Sequence, residues 1–251
     1  MIPALAKRRL ALAASICALV AAPSGAPAGS PAKPAVLCAL QPGQTVLASG
    51  VRHGLAHHLR QYPDLSLATA TERHAATRLL ARLRSATRSY ADVRNAARAG
   101  FDTHLARRAP GDVTIGYLHA EHRRFSADNH VLDPRRPEAL IYATEPGRSP
   151  RLVGAMFSVR RGVVGPTPGG AIDRWHSHLV CVRGDKRGLA PLQSGGCAPG
   201  ATLTRGSEML HVWFTSDLRS AFAVHAPVPE LCRDGLLTPK ACRSRGSLRE
   251  M

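Results

Sequence analysis

Aromatic residues are scarce in this chain of 251 residues, of which Phe, Trp and Tyr together make up only 4%. Proteins that bind single-stranded nucleic acid stack bases on aromatic side chains, and here no arginine cluster is interleaved with them. We therefore expect no specific binding of nucleic acid. Long apolar runs are missing as well, because the run from Leu10 to Ala22 falls short of the roughly 20 residues that a membrane-spanning helix needs. No transmembrane segment is predicted in the mature chain.

Several enzyme signatures are also missing. The chain contains neither HExxH, which places two zinc ligands on one helix face, nor GxSxG, which presents a nucleophilic serine. His119-Ala120-Glu121 matches the first half of the zinc-deaminase motif, but no Pro-Cys-x-x-Cys follows, which excludes that enzyme. The sequence leaves open whether the protein is an enzyme, and it identifies no catalytic residue.

The first 28 residues have the pattern of a secretory signal peptide. Three basic residues at positions 7–9 precede the apolar run, and Ala26-Pro27-Ala28 offers the small-x-small pattern of a cleavage site. We therefore expect a secreted protein, either extracellular or in the cell envelope. The predicted organisation is a signal peptide over 1–28, a flexible Pro/Ala/Gly-rich leader over 29–68, one globular domain over 69–230, and a tail over 231–251.

The charge is strongly positive. The formal net charge is +17, and removing the three basic residues of the signal peptide would leave +14. Arginine accounts for 30 of the 34 basic residues. Such a charge favours binding to an anionic cell-envelope polymer or surface. The simpler explanation of the high arginine content is codon composition combined with solubility.

Export makes disulfide bonds plausible for the cysteines that remain after cleavage. Their spacing never forms the CxxC of a zinc ribbon or redox motif. The short-range pairs Cys181/Cys197 and Cys232/Cys242 are the economical assignment, which leaves Cys38 over. The second pair would close the C-terminal tail.

The secondary-structure pattern predicts an α+β fold, an amphipathic helix or helix pair packed on a small antiparallel sheet. Thr69 and Glu72 form a possible capping box before residues at helical spacing, and Gly100 ends that run; a break near 85–89 would divide it into two helices. The polar face carries Arg78, Arg82 and Arg88, which we interpret as a solvated stripe. Short apolar or alternating segments then predict strands, with the stretch 184–200 as a long loop. The predicted strands are 139–144, 152–159, 174–182, 209–214 and 221–225.

The candidate functional residues are four histidines on the predicted strands. In Trp175-His176-Ser177-His178 the two imidazoles lie two residues apart, so a strand sends both to one face and Trp175 to the other. A hairpin about 217–218 would bring His211 and His225 together on one face. Neutral imidazole binds zinc or copper well, so we predict a metal site at His176, His178, His211 and His225. The rival interpretation is that these histidines only pack and form hydrogen bonds.

A second polar group precedes these strands and includes several histidines and carboxylates. Its spacing does not meet the HxxxD pattern of peptidoglycan-cleaving zinc endopeptidases, which it only faintly resembles. The group comprises Tyr117, His119, Glu121, His122, Asn129, His130 and Asp133.

Several ordered landmarks carry a resemblance to an uncharacterised family of bacterial secreted proteins. It covers roughly residues 90–227. The landmarks are Leu132-Asp133-Pro134, Pro137-Glu138-Ala139-Leu140-Ile141-Tyr142, Leu152-Val153-Gly154-Ala155-Met156-Phe157, Trp175-His176-Ser177-His178 and Met209-Leu210-His211-Val212-Trp213. The resemblance implies an exported, single-domain protein and nothing about mechanism.

Three functions are therefore open from the sequence. The first is binding of zinc or copper by the four histidines. The second is non-catalytic binding of an anionic cell-envelope polymer or surface through arginine. The third is metal-dependent hydrolysis, which would follow if a bound metal kept an open position for water.

Overall fold

The computed structural model describes residues 53–55, 59–103, 116–128, 130–145, 147–183, 186–190, 200–243 and 249–250. The predicted signal peptide, most of the predicted leader, Cys38 and Cys197 lie outside the described residues. The pair Cys181/Cys197 therefore stays a prediction. Within the described ranges, no helix is long and apolar enough to cross a membrane.

Two helices form the N-terminal layer. Helix α1 spans Ala70–Thr87 and begins with the predicted capping box, in which Thr69 Oγ1 accepts from the Glu72 N–H at 3.2 Å and Glu72 Oε2 accepts from the Thr69 N–H at 2.8 Å. A 3-10 turn over Arg88–Ala91 separates it from α2, Val93–Ala99. Gly100 ends α2 at a φ of 100°, a left-handed conformation that glycine adopts without strain. The helical run therefore forms two helices, which is one of the two predicted alternatives.

Ten strands make two sheets in the described part of the chain. The main sheet has seven strands in the order β1-β5-β9-β4-β3-β2-β10, and its five central strands pair antiparallel. A smaller sheet has the order β7-β6-β8. The predicted α+β class is confirmed. The strands are β1 His53–Leu55, β2 Gly116–Glu121, β3 Ala139–Thr144, β4 Arg151–Ser158, β5 Trp175–Ser177, β6 Leu179–Arg183, β7 Lys186–Ala190, β8 Ala201–Arg205, β9 Met209–Trp213 and β10 Arg249–Glu250.

Both faces of the main sheet are covered, which explains why β3 is buried at all six positions. Leu140 and Tyr142 point into a core shared with α1, whose Leu83 is fully buried. Ala139 and Ile141 alternate to the opposite face. That second face packs against two short helices, α5 Val228–Arg233 and α6 Pro239–Arg243. Two more short helices, α3 Arg123–Ala127 after β2 and α4 Leu218–Ala221 after β9, contact the α1-side core through Phe125, Leu218 and Ala221.

The C-terminal segment is closed by a disulfide and packs on the second face of the sheet. A disulfide joins Cys232 of α5 to Cys242 of α6, as the spacing predicts. Leu231, Leu237 and Ala241 are buried in the same cluster. The described part of the predicted tail is therefore packed on the sheet. The described end of the predicted leader is also part of this architecture, since 53–55 forms β1 beside β5 and 59–68 precedes α1.

Three strand and loop predictions are corrected, and one strand of the sheet was missed. The single strand 174–182 is two strands in different sheets, β5 and β6. The strand 221–225 and its hairpin are wrong, because Asp217 accepts hydrogen bonds from the N–H groups of Arg219 and Ser220 and so begins a helix, α4. The predicted loop 184–200 contains β7. Strand β2 was not predicted at all.

Candidate functional site

Strand β5 delivers the first imidazole to the second face of the sheet. Trp175 packs in the α1-side core and donates from Nε1 to the Pro166 carbonyl at 2.8 Å. His176 alternates to the other side, where it pairs in register with Met209 of β9 and is fully buried. Its Nδ1 lies 3.0 Å from the Arg174 carbonyl oxygen. The alternation predicted from the sequence is thus present between positions 175 and 176.

Strand β9 delivers the second imidazole beside it. His211 lies between Leu210 and Val212, which face the opposite core, and its exposed fraction is only 2%. The ring centroids of His211 and His176 are 4.8 Å apart. His211 Nδ1 lies 2.8 Å from the carbonyl oxygen of Val224.

The carbonyl partners determine which nitrogen of each ring carries the proton. A carbonyl oxygen can only accept, so Nδ1 of each neutral ring carries the proton and Nε2 keeps its lone pair. A carbonyl that accepts from the other ring nitrogen in this way is what orients histidines that bind metal through Nε2. The same bond would also suit a purely structural histidine, so it supports the ligand interpretation without distinguishing the two.

The other two predicted residues lie at the edge of this pair and are only partly buried. The His178 ring centroid is 5.3 Å from that of His176, and the His225 centroid is 6.4 Å from His176 and 6.1 Å from His178. His225 reaches this position from a turn after α4. Gln61 holds that turn, because it donates to the His225 carbonyl at 2.7 Å and accepts from the His225 N–H at 3.1 Å.

A fifth imidazole joins the group from β2. The rings of His119 and His211 are stacked, with centroids 5.2 Å apart and planes 12° from parallel. Strands β3 and β4 lie between them in the sheet order, and Gly154 of β4 has no side chain at the register position between Ile141 and Trp213. The sequence signal for this strand is that Tyr117 and His119 alternate with the apolar residues Leu118 and Ala120. From the sequence, His119 is only a member of the second polar group and of an incomplete deaminase motif.

Two further members of the second polar group, His122 and Asp133, form local hydrogen bonds within the fold. His122 begins α3: its Nδ1 accepts from the Phe125 N–H at 3.3 Å, and its Nε2 lies 3.0 Å from the Ala99 carbonyl oxygen. Asp133 accepts from the Arg135 N–H at 3.0 Å in an exposed turn. Asn129 lies outside the described residues.

The spacing of the rings can be compared with that of zinc ligands. With a metal–nitrogen distance of about 2.0 Å and tetrahedral angles, two ligand rings have centroids about 5 Å apart. The distances from His176 to His211 and to His178 match this, whereas those to His225 are longer. Across the described ranges, however, no group of three or more His, Cys, Asp or Glu side chains meets the geometry of a metal site. Metal binding would therefore require the partly buried His178 and His225 side chains to turn towards the buried pair.

The electrostatic environment keeps His211 neutral. Burial is the largest cause that holds the pKa of its imidazole well below the usual value of 6.5, and the neighbouring His176 and His119 rings lower the pKa further. The hydrogen bond to Val224 opposes this shift. Neutral imidazole is the form that binds metals, so this residue is in its ligating form at neutral pH.

Comparison with known proteins does not guide the assignment. The family resemblance stays a prediction, and the function has to be argued from the histidine cluster itself. Comparison with protein-family models, with curated proteins and with solved structures finds no match for this chain.

Proposed function

We propose that this protein binds one transition metal ion, zinc or copper, through His176, His178 and His211, with His225 as the fourth ligand. The observation that carries the proposal is the pair of buried imidazoles from separate strands, with centroids 4.8 Å apart. Each ring has its Nδ1 against a backbone carbonyl, which leaves Nε2 as the ligating nitrogen.

The cost of burying these rings supports a ligand at this place. His211 Nε2 is buried and has no hydrogen-bond partner among the described residues. Burying a polar nitrogen without a partner costs about 1–3 kcal/mol. A metal ion bound at Nε2 would offset that cost.

The donor chemistry favours zinc or copper over calcium or magnesium. The proposed ligands are all imidazoles, whereas calcium and magnesium prefer oxygen ligands. His119 stacks on His211 and is a positioning residue for it in this proposal.

The test is the metal content of the purified exported protein, measured by mass spectrometry after exposure to zinc or copper and gel filtration. We expect about one equivalent, lost in His176→Ala/His178→Ala. His74→Ala removes an exposed histidine from α1 and is the matched control, which should keep the metal. Equal metal content in all three proteins would show that the histidines only pack.

A hydrolytic activity would follow if only three histidines held the metal. The open position would then take a water molecule, whose pKa a bound zinc lowers to about 7. His225, whose ring lies farther from His176 than those of His178 and His211, is the ligand that this water would replace. Turnover of cell-wall peptides or esters that stops on chelation would support it, and turnover that persists in the chelator would contradict it.

Binding of an anionic cell-envelope polymer is the second candidate function. Arg78, Arg82 and Arg88 are exposed along α1 and the turn after it, which supports such a contact. Because salt screens exposed charges over roughly 8 Å at physiological strength, binding should weaken steeply above it. Binding that does not respond to salt would argue against this function. The site of action in both cases is outside the cytoplasm, which the Cys232–Cys242 disulfide supports.

A further inference from the structure

A cavity of about 350 Å³ lies beside Ser177, the residue of β5 that follows His176. Its walls come from the segment after β4 and from the turn between β8 and β9. The lining residues are Arg161, Gly162, Val163, Val164, Ser177, Arg205, Gly206 and Glu208. This volume is within the range of small-molecule sites, which begins at about 300 Å³.

The two walls are fixed to each other and to the sheet. Glu208 accepts from the Gly165 N–H at 3.2 Å and from Arg205 at 3.2 Å, so one carboxylate ties the first wall to the second. A Cβ at Gly165 would lie 2.2 Å from the Trp175 ring, which means that the first wall lies directly against β5. The cavity is therefore preformed.

The polar groups of the cavity favour an anion. The Ser177 side chain is fully buried, and its Oγ has no hydrogen-bond partner among the described residues. Arg161 and Arg205 add two positive charges at the exposed rim, of which Glu208 balances one. A hydroxyl that can donate beside an excess positive charge is suited to a carboxylate or phosphate oxygen.

The same cavity has an apolar side. Val163 and Val164 are 49% and 67% exposed, and they are two of the four large hydrophobic residues exposed in the described structure. Apolar surface concentrated at a cavity rim is typical of a ligand-binding site.

From these contacts we infer that the Ser177 cavity binds a small oxyanion that carries an apolar substituent. The Ser177 hydroxyl and the Arg161 and Arg205 guanidinium groups hold the oxyanion, and the two valines cover the substituent. This site is separate from the histidine cluster and does not depend on a bound metal.

Isothermal titration in the presence of a chelator tests the inference. The probes are octanoate and hexyl phosphate, which distinguish a carboxylate from a phosphate ligand, and acetate and inorganic phosphate are their counterparts without the apolar part. We expect one of the long probes to bind at least tenfold more tightly than its short counterpart. Equal affinity of the two would overturn the apolar half of the inference, and no binding of any probe at millimolar concentration would overturn all of it.

Variants locate the bound probe. Ser177→Ala and Arg161→Gln should each weaken binding at least fivefold. The matched control is Arg148→Gln, an exposed arginine in the turn between β3 and β4, which should bind as the parent does. Circular dichroism checks that each variant is folded. If Ser177→Ala does not fold, because Ser177 is buried, the exposed Arg161→Gln variant still tests the inference. Unaltered binding by a folded Arg161→Gln protein would place the probe elsewhere and refute the inference.

Discussion

The buried carboxyl of Glu138 should make the stability of this protein fall as the pH rises. Glu138 is only 3% exposed, and burial raises its pKa from 4.5 to about 8. The native state therefore holds a proton that the unfolded chain releases near pH 4.5. The contribution is fully present below that pH and is lost as the pH rises towards 8.

The size of this effect follows from the pKa difference. One proton held by the native state alone changes the unfolding free energy by at most about 1.4 kcal/mol per pH unit. Over the interval from pH 4.5 to about 8 the upper limit is about 5 kcal/mol. We expect roughly 2 kcal/mol, because relaxation and water penetration reduce the cost of a buried charge in real proteins.

His211 acts in the opposite direction and has to be separated from Glu138. Its pKa is depressed in the native state, so the unfolded chain takes up a proton as the pH falls below 6.5 and stability is lost there. The two groups together give a maximum in the unfolding free energy as a function of pH. Measurements on the parent protein alone therefore do not assign the loss of stability on either side of the maximum to one residue.

The assay is urea unfolding of the parent and of Glu138→Gln between pH 5 and 9, followed by circular dichroism. Glutamine has the shape of the protonated acid and cannot ionise. The stability of the parent should therefore fall relative to that of the variant once the pH exceeds about 4.5, and the variant should gain roughly 2 kcal/mol on the parent between pH 5 and 8.5. Glu121→Gln, at an exposed position, is the control, and its unfolding free energy should change with pH as that of the parent does. A constant difference between Glu138→Gln and the parent across the pH range would refute the reasoning.

Three further predictions concern the core, the disulfide and the metal. Leu83→Ala empties a fully buried position and should cost about 2–5 kcal/mol in urea unfolding, whereas Leu67→Ala, at a position 44% exposed, should cost less than about 0.5 kcal/mol. Reducing the Cys232–Cys242 bond, whose cysteines are 10 residues apart, should cost about 2–3 kcal/mol, and unchanged unfolding in reductant would contradict this. Zinc at 100 times its dissociation constant should stabilise the parent by about 2.7 kcal/mol and His211→Ala by none; an equal gain in both would place the metal elsewhere.

The local features of the fold could be predicted because their causes lie within a few residues. The capping box needs only Thr69 and Glu72, three positions apart, and the end of α2 needs only Gly100. Strand β3 was predicted at its observed bounds because a continuous apolar run is typical of a strand buried on both faces.

The sequence also determined that His176 and Trp175 face opposite sides of one strand, since that follows from the period of the pleat. Only the tertiary structure decided which imidazoles meet. His225 arrives from a turn held by Gln61 and not from a hairpin, and His119 reaches His211 across two intervening strands. Strand order and the route of the chain between strands depend on how the whole core is buried, and no short-range pattern records that choice.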